Sequence, residues 1–127
     1  MLLANLLFGL LLALEIEDEL QLAVMSAPAL RERWYAWRGG GAWAVGAAGH
    51  DEPRPIHASG VEALGDAMIV YGSRQDLDAS GRAPGFPGLL TAAWRERGFG
   101  DFWGYALVAE GAADAMVEVD VSVWDLA

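Results

Sequence analysis

The sequence predicts a layered domain of the α/β or α+β class. Short apolar segments separated by turn residues fill the first half, two amphipathic helical patterns follow residue 85, and a segment of alternating apolar and acidic residues comes near the end. The 127 residues suffice for one domain with a core and are too few for two ordinary domains. We expect a single partial domain over 1–127, strand-rich at 1–72, with helices, a strand and the start of a last helix at 85–127.

The N-terminal segment, MLLANLLFGLLLALEIEDEL, is apolar over its first fifteen residues except for Asn5 and Glu15. A secretory signal is the competing interpretation, but the segment has no basic start and no clear small-residue cleavage pattern. The apolar run is also shorter than the roughly 20 residues of a membrane-spanning helix. We therefore predict a buried strand followed by a turn at EIEDEL, while leucine and alanine suit a helix as well as a strand.

Strand signals continue to residue 72. The segment LQLAVMSA at 20–27 predicts a second strand that Pro28 stops, and aromatic residues on both sides of Gly39–Gly41 predict a hairpin. The triple glycine lacks a following Lys-Ser or Lys-Thr, which disfavours a phosphate-binding loop. After a polar loop at 47–55, short strands are expected around PIHAS and AMIVYG, joined by a turn or a single helical turn.

Helical patterns dominate the second half. Residues 73–88 are rich in Gly, Asp and Pro and are expected to form a loop. Helices are expected at 88–98 and 101–111, each ended by a glycine. The alternation at 114–121 predicts a strand with one solvent-exposed face, and Ser122 is a candidate N-cap for a last helix.

Composition limits the classes of function. Eight basic and eighteen acidic residues give a formal net charge of -10, and such a surface repels the phosphates of nucleic acids. Because the chain has no cysteine, disulfides, thiolate metal sites and cysteine nucleophiles are excluded. We expect a cytoplasmic protein with no nucleic-acid and no membrane partner.

The histidines, the serines and the single Trp-Asp pair do not indicate a known site. His50 and His57 are the two histidines, and neither lies in a His-Glu-x-x-His pattern, so solvated histidines are expected rather than a zinc site. No serine lies in a Gly-x-Ser-x-Gly context, which argues against a serine hydrolase. One Trp-Asp pair does not indicate a propeller, because propellers need several repeats of about 40 residues.

Carboxylates near the C-terminus are more informative. Glu118 and Asp120 should project to one face of the predicted strand, and Asp125, in the first turn of the last helix, could point toward the same space. Clustered carboxylates suit Mg²⁺, which binds oxygen ligands together with waters and substrate phosphates. An acidic, solvent-facing strand explains the same pattern, and on spacing alone this ordinary explanation is favoured.

Longer segments carry a family resemblance. The segment RGFGDFWGYALVAEGAADAMVEVDVSVWDLA resembles the C-terminal half of the inositol monophosphatase superfamily, with a Gly-rich turn, a helix ending Ala-x-Gly, an Ala-Asp strand and Trp-Asp-x-Ala. Within it, RGFGDFWGYALVAEGAAD looks most like the bacterial histidinol-phosphatases of the monophosphatase type, and VMSAPALRERWYAWRGGGAWA is similar to their preceding strand and hairpin. The resemblance covers most of 5–127.

The resemblance implies a fold, an activity and site residues. The fold is the C-terminal part of the inositol monophosphatase-like fold, and the activity is Mg²⁺-dependent hydrolysis of a small phosphorylated metabolite, most like histidinol phosphate of histidine biosynthesis. By this resemblance Asp125 is a metal ligand, Glu118 contacts substrate hydroxyl groups, and Gly100 and Asp101 face the non-phosphate part of the substrate. We further hypothesise that Asp101 pairs with a cationic amine or imidazolium group.

The chain also departs from the family pattern. The superfamily's upstream metal-binding glutamate and its Asp-Pro-x-Asp-Gly-Thr/Ser motif have no counterpart in the sequence. We therefore expect a fragment with little or no phosphatase activity by itself. An inositol or other sugar monophosphatase is one alternative, and a non-catalytic binding or structural domain on the same scaffold is another. A chain of this kind, with open sheet edges, is expected to self-associate, so a homo-oligomer is possible.

Overall fold

The computed structural model describes residues 8–46 and 51–126. The chain divides into two compact units, one made of the residues up to Ile56 together with those from Ser122 onward, and one made of His57–Val121. The single-domain organisation stays a prediction. His50 and the N-terminal residues before Phe8 lie outside the described residues. No helix within the described ranges combines the length and the apolar character that crossing a membrane requires.

The first unit contains an antiparallel five-stranded sheet in sequential order. The predicted hairpin is confirmed: Gly39 and Gly41 have positive φ values of 78° and 75°, and the Trp43 indole N–H donates to the Gly40 carbonyl at 2.9 Å. Glycine reaches such φ values without a steric penalty, which explains Gly39 and Gly41, while a Cβ atom on Gly40 would overlap the Trp37 ring. The strands are β1 (Leu10–Ile16), β2 (Glu19–Ala27), β3 (Glu32–Trp37), β4 (Gly41–Val45) and β5 (Arg54–Ile56).

The two faces of this sheet differ in burial. One face carries the buried side chains of Ala27, Trp34, Ala44 and Ile56, and their cross-strand positions put them on the same side. The opposite face is also apolar. Leu12 pairs with Val24 and Val24 pairs with Tyr35, and this row continues into three stacked aromatic rings, with ring centres 6.2 Å apart for Tyr35 and Trp37 and for Trp37 and Trp43.

The prediction of a buried N-terminal strand is half wrong. Strand β1 forms, but its leucines are exposed: Leu10 by 64%, Leu12 by 60% and Leu14 by 47%. These side chains lie on the apolar face opposite the buried one, and among the strands of 8–46 and 51–126 β1 pairs with β2 alone and so lies at the edge of the sheet. Hydrophobicity alone predicts burial, whereas burial also requires a second layer over that face.

We predict that the exposed edge makes the chain self-associate, and that Leu12→Glu/Leu14→Glu suppresses it. An open edge strand with apolar side chains pairs readily with another chain, and charge on such an edge opposes pairing. Sedimentation velocity over a range of concentrations should show oligomers for the unsubstituted chain and mainly monomer for the double variant.

A matched control adds the same charge elsewhere. Val61 and Leu64 are 42% and 40% exposed and lie in the other unit, so Val61→Glu/Leu64→Glu should leave the association unchanged. A monomeric unsubstituted chain at all concentrations would contradict the prediction.

The second unit combines a three-stranded parallel sheet with three helices. The strand order is β7-β6-β8, and both outer strands run parallel to the central one. Val70 of the central strand and Leu77 are almost completely buried, as are Ile69 and Phe86. The elements are β6 (Met68–Tyr71), α1 (Arg74–Ser80), α2 (Phe86–Ala92), β7 (Arg95–Arg97), α3 (Asp101–Ala109) and β8 (Ala115–Val117), after a 3-10 turn at Leu64–Asp66.

The predicted loop at 73–88 is largely wrong, because it contains α1 and the start of α2. The Ser73 hydroxyl accepts the Asp76 backbone N–H at 3.2 Å and so caps α1, while Gly81, with φ 64°, ends it. Ser73 and Gly81 are therefore the caps of α1, and Asp76 and Asp78, which suggested a loop, are residues of the helix. The predicted helix at 88–98 is also displaced: α2 begins at Phe86 and ends at Ala92, and Arg95–Arg97 is strand β7.

Other predictions for the second half are confirmed in part. The helix expected at 101–111 is α3, and Gly111 follows it with φ 73°. The expected strand at 114–121 shortens to β8, because the ladder with β6 ends at Val117. Asp120 has a left-handed φ of 58° beyond the strand, so the expectation that it shares a strand face with Glu118 is wrong.

The last helix begins where the sequence predicted. Helix α4 (Val123–Leu126) follows Ser122, whose carbonyl accepts the Asp125 N–H at 2.9 Å. In return, the Asp125 carboxylate accepts the Ser122 backbone N–H at 2.8 Å through Oδ2. This reciprocal contact is one half of a capping box, in which an acidic side chain at the third helical position satisfies a free backbone donor.

The half-buried side chain of Tyr71 in the second unit predicts that the protein loses stability at alkaline pH. A hydrogen bond to the Glu96 carboxylate, together with burial, raises the pKa of Tyr71 above its ordinary 10.0. Above about pH 10 the phenol of the unfolded chain ionises while the folded one stays neutral, so the unfolding free energy falls as the pH rises toward the higher folded pKa. Tyr71→Phe should lose less stability than the unsubstituted chain between about pH 9 and 11 in urea titrations. Equal losses in both chains would contradict the assignment.

Candidate functional site

A cavity of about 310 Å³ opens at the carboxyl ends of the parallel strands β6 and β8. The residues that directly follow each strand form part of its wall, and the first residues of α1 and α3 complete it. In open α/β sheets ligands bind outside the carboxyl ends of the strands, where the connecting loops diverge. The lining residues are Gly72, Ser73, Asp76, Leu77, Gly100, Asp101, Glu118 and Val119.

Three sequence-predicted site residues meet in this cavity. Glu118 follows β8, Gly100 is the N-cap of α3 and Asp101 is its first residue. They are brought together because β8 and the start of α3 both lie at one edge of the small sheet. Their roles toward a substrate remain predictions, while their convergence is a property of the fold.

The Glu118 carboxylate is held on two sides. The Tyr105 hydroxyl, from the second turn of α3, donates to Oε2 at 2.8 Å. Oε1 lies so close to the Gly72 backbone that a Cβ atom at that position would be 2.5 Å away. A side chain at residue 72 would therefore force the carboxylate to move, and glycine leaves it in place.

Gly72 and Gly100 form a close backbone crossing. A Cβ atom on Gly100 would lie 3.3 Å from the Gly72 Cα atom, tighter than an ordinary van der Waals contact. The next residue, Asp101, has a left-handed φ of 56°, a conformation that aspartate tolerates better than most side chains. The chain turns sharply here, which puts Asp101 at the wall of the cavity.

The wall of the cavity is acidic. Asp76, Asp101 and Glu118 contribute three carboxylates, and none of the eight lining residues is basic. Gly72, Ser73 and Asp76 were not predicted as site residues, because Gly72 was assigned to the end of a strand and 73–88 was interpreted as a loop. The signal was present in the spacing, since serine followed three residues later by an acidic residue is a helix-start pattern.

The remaining predicted residues do not line this cavity and form no metal-binding cluster among the described residues. Asp125 is in α4 of the first unit, where Oδ2 is occupied by the Ser122 N–H. Within 8–46 and 51–126, no three His, Asp or Glu side chains come together in a way that could hold a metal ion. Mg²⁺ needs several oxygen ligands in near-octahedral geometry, so the described residues do not by themselves fit this ion. His57 is exposed, as predicted, with its Nδ1 3.0 Å from the Ala58 carbonyl oxygen.

Comparisons with known proteins agree with the fold. The model of the inositol monophosphatase family matches residues 6–127. A histidinol-phosphatase of Mycobacterium tuberculosis is 42% identical over 117 residues, which are 92% of this chain and 44% of that protein. A histidinol-phosphatase of Streptomyces coelicolor is 41% identical over 104 residues, or 82% of this chain and 38% of that protein.

A solved structure supports the same architecture. An inositol monophosphatase from Zymomonas mobilis superposes with a TM-score of 0.79 at 26% identity, over 94% of this chain and 44% of that one. The chain thus spans less than half the length of each of these relatives. By the extent of the family match and by its identity to these relatives, the chain belongs to the inositol monophosphatase family.

Proposed function

We propose that this chain is the substrate-binding part of a Mg²⁺-dependent phosphomonoester hydrolase whose substrate is histidinol phosphate. Family membership supports hydrolysis of a phosphate ester, and the similarity to histidinol-phosphatases supports this substrate class. The observation that carries the proposal is the convergence of Glu118, Gly100 and Asp101 in one cavity without a basic residue.

The charge of the cavity selects the end of the substrate that enters it. Histidinol phosphate has a cationic ammonium and imidazole end and an anionic phosphate end. Three carboxylates attract the first and repel the second, and hydrogen bonds to charged groups contribute about 1.5–3 kcal/mol each. In this proposal Asp101 and Glu118 accept hydrogen bonds from the cationic end, and the phosphate points out of the cavity.

The same wall is less suited to a neutral sugar. Inositol hydroxyl groups can donate to Glu118, but they leave the charge of the three carboxylates unbalanced. An amine or imidazolium supplies hydrogen-bond donors and opposite charge together. The preference for a cationic ligand is therefore the feature that separates the proposed substrate from inositol phosphates.

The chain alone should release little or no phosphate. In the proposed enzyme, Mg²⁺ would supply polarisation of the phosphoryl group and a lower pKa for a bound water. Holding this ion requires several oxygen ligands. Asp125 is the residue of this chain that the family resemblance assigns to the metal, and one carboxylate binds Mg²⁺ weakly. The other ligands would have to come from outside the described residues. Cytoplasmic location and the lack of a nucleic-acid partner stay predictions from composition.

Two measurements test the proposal. Titration of the chain with histidinol and with myo-inositol, followed by NMR shifts of the residues around the cavity, should show tighter binding of histidinol. Phosphate release from histidinol phosphate with added Mg²⁺ should stay near the rate without protein. Equal or tighter binding of inositol would favour a sugar monophosphatase, and binding of neither ligand would favour a non-catalytic domain. Robust turnover that Asp125→Asn abolishes would contradict the predicted inactivity.

A further inference from the structure

The contact between Tyr105 and Glu118 joins a helix to the end of a strand. Tyr105 lies in α3 and Glu118 directly follows β8, and the hydroxyl donates to Oε2 at 2.8 Å. Both side chains are half-buried. A glutamate has three rotatable side-chain bonds and would otherwise sample several rotamers, so a hydrogen bond from a rigid aromatic side chain restricts the carboxylate.

The opposite side of the carboxylate is restricted by the backbone. Oε1 and the Cγ and Cδ atoms of Glu118 lie within 3.4 Å of the position that a Cβ atom on Gly72 would occupy. Gly72 in turn packs against Gly100, so this wall has little freedom to recede. The carboxylate therefore sits between a hydroxyl donor and a backbone wall, at the edge of the cavity that both Gly72 and Glu118 line.

We infer that Tyr105 is a positioning residue for ligand binding, because its hydroxyl fixes the orientation in which Glu118 meets the ligand. The inference rests on the proposed function, since it concerns the ligand of the same cavity. Tyr105 is not among the residues that line the cavity, so it acts through Glu118. A preorganised acceptor binds more tightly than one that must be ordered on binding.

The test uses the whole chain and histidinol as the probe. Tyr105→Phe removes the hydroxyl and keeps the ring, and it should weaken histidinol binding about threefold to tenfold, the range for one hydrogen bond. In a Glu118→Ala background the same substitution should change the affinity less than about twofold, because a residue that acts through Glu118 has no effect without it. The same weakening in both backgrounds would overturn the inference.

A spectroscopic measurement keeps the inference separate from the proposed function. The side-chain carboxyl ¹³C resonance of Glu118, observed without ligand, should shift in Tyr105→Phe. It should stay unchanged in Tyr71→Phe, which removes a tyrosine hydroxyl beside Glu96 in the same unit. An unchanged Glu118 resonance in Tyr105→Phe overturns the positioning role whatever the ligand does. A shifted resonance without any histidinol binding by the unsubstituted chain instead overturns the proposed ligand.

A second variant, Gly72→Ala, tests the contact between the backbone and the Glu118 carboxylate. Gly72→Ala should displace Glu118 by steric contact, since the new Cβ would lie 2.5 Å from Oε1. It should weaken histidinol binding by a similar factor while Tyr105 is intact. Unchanged binding in Gly72→Ala would overturn the view that the orientation of Glu118 sets the affinity.

Discussion

Gly104→Val should destabilise the second unit by about 2–3 kcal/mol, which is a large part of the stability of a small domain. Gly104 is buried in α3, and a Cβ atom there would lie 2.5 Å from the Phe99 carbonyl oxygen and 2.6 Å from the Met116 Sδ atom. Met116 can relieve its contact by changing rotamer, but the Phe99 carbonyl is part of the backbone and can move only if the backbone moves. The helix would have to lift from β8, and with it the edge of the cavity.

The matched control is the same substitution in an open place. Gly88 lies in α2, and no neighbouring atom lies within 4 Å of the position that a Cβ atom would take there. Gly88→Val should therefore change the stability by less than about 1 kcal/mol. Urea denaturation followed by circular dichroism measures both variants. Equal stabilities for the two valine variants would show that α3 does not need this close contact with β8.

Asp101→Asn/Glu118→Gln should weaken histidinol binding about tenfold to a hundredfold. The substitutions keep the size of both side chains and remove two of the three negative charges that line the cavity. Hydrogen bonds to a cation lose strength when the acceptor is neutral, by about 1–3 kcal/mol in total after solvent screening. Calorimetry or NMR titration at low and at high salt measures the loss, which should be larger at low salt.

The control removes the same charge without touching the cavity. Glu62 and Asp66 are exposed acidic residues of the same unit and do not line the cavity, so Glu62→Gln/Asp66→Asn should bind histidinol nearly as the unsubstituted chain does. If both double variants lose the same affinity, binding depends on the net charge of the chain rather than on the cavity. Such a result would remove the main support for a cationic substrate.

Local sequence patterns predicted the first sheet well. The hairpin at Gly39–Gly41 and the second strand depend on turn chemistry and alternation, which are local properties, and both are present. Burial is not local. Leu12 and Leu14 are residues typical of a core, but they are exposed. Whether they are buried depends on what covers their face of the sheet, and the pattern of a single strand does not specify that cover.

The candidate site was assigned through the family resemblance. Glu118, Gly100 and Asp101 were assigned from matched motifs and lie in one cavity, while their roles stay predictions; spacing alone favoured an ordinary acidic strand. Tyr105 was missed because its partner is thirteen positions away and on a different element, so no helical or strand periodicity links the two. Asp76 was missed for a different reason. It lies in the first turn of α1, and the serine and aspartates of this segment are also typical of loops, so the helix start at Ser73 was not identified.

The crossing of Gly72 and Gly100 is a main-chain part of the cavity wall, to which Asp76 and Asp101 contribute side chains. A Cβ atom on Gly100 would lie 3.3 Å from the Gly72 Cα atom, so a side chain there requires the main chain to shift by a few tenths of an ångström. Position 100 is therefore restricted by the main chain, whereas a side chain at position 72 would meet Glu118 first. Asp76 and Asp101 can be exchanged without changing this crossing, so substitutions there should alter the ligand preference of the cavity while its main-chain wall keeps its shape.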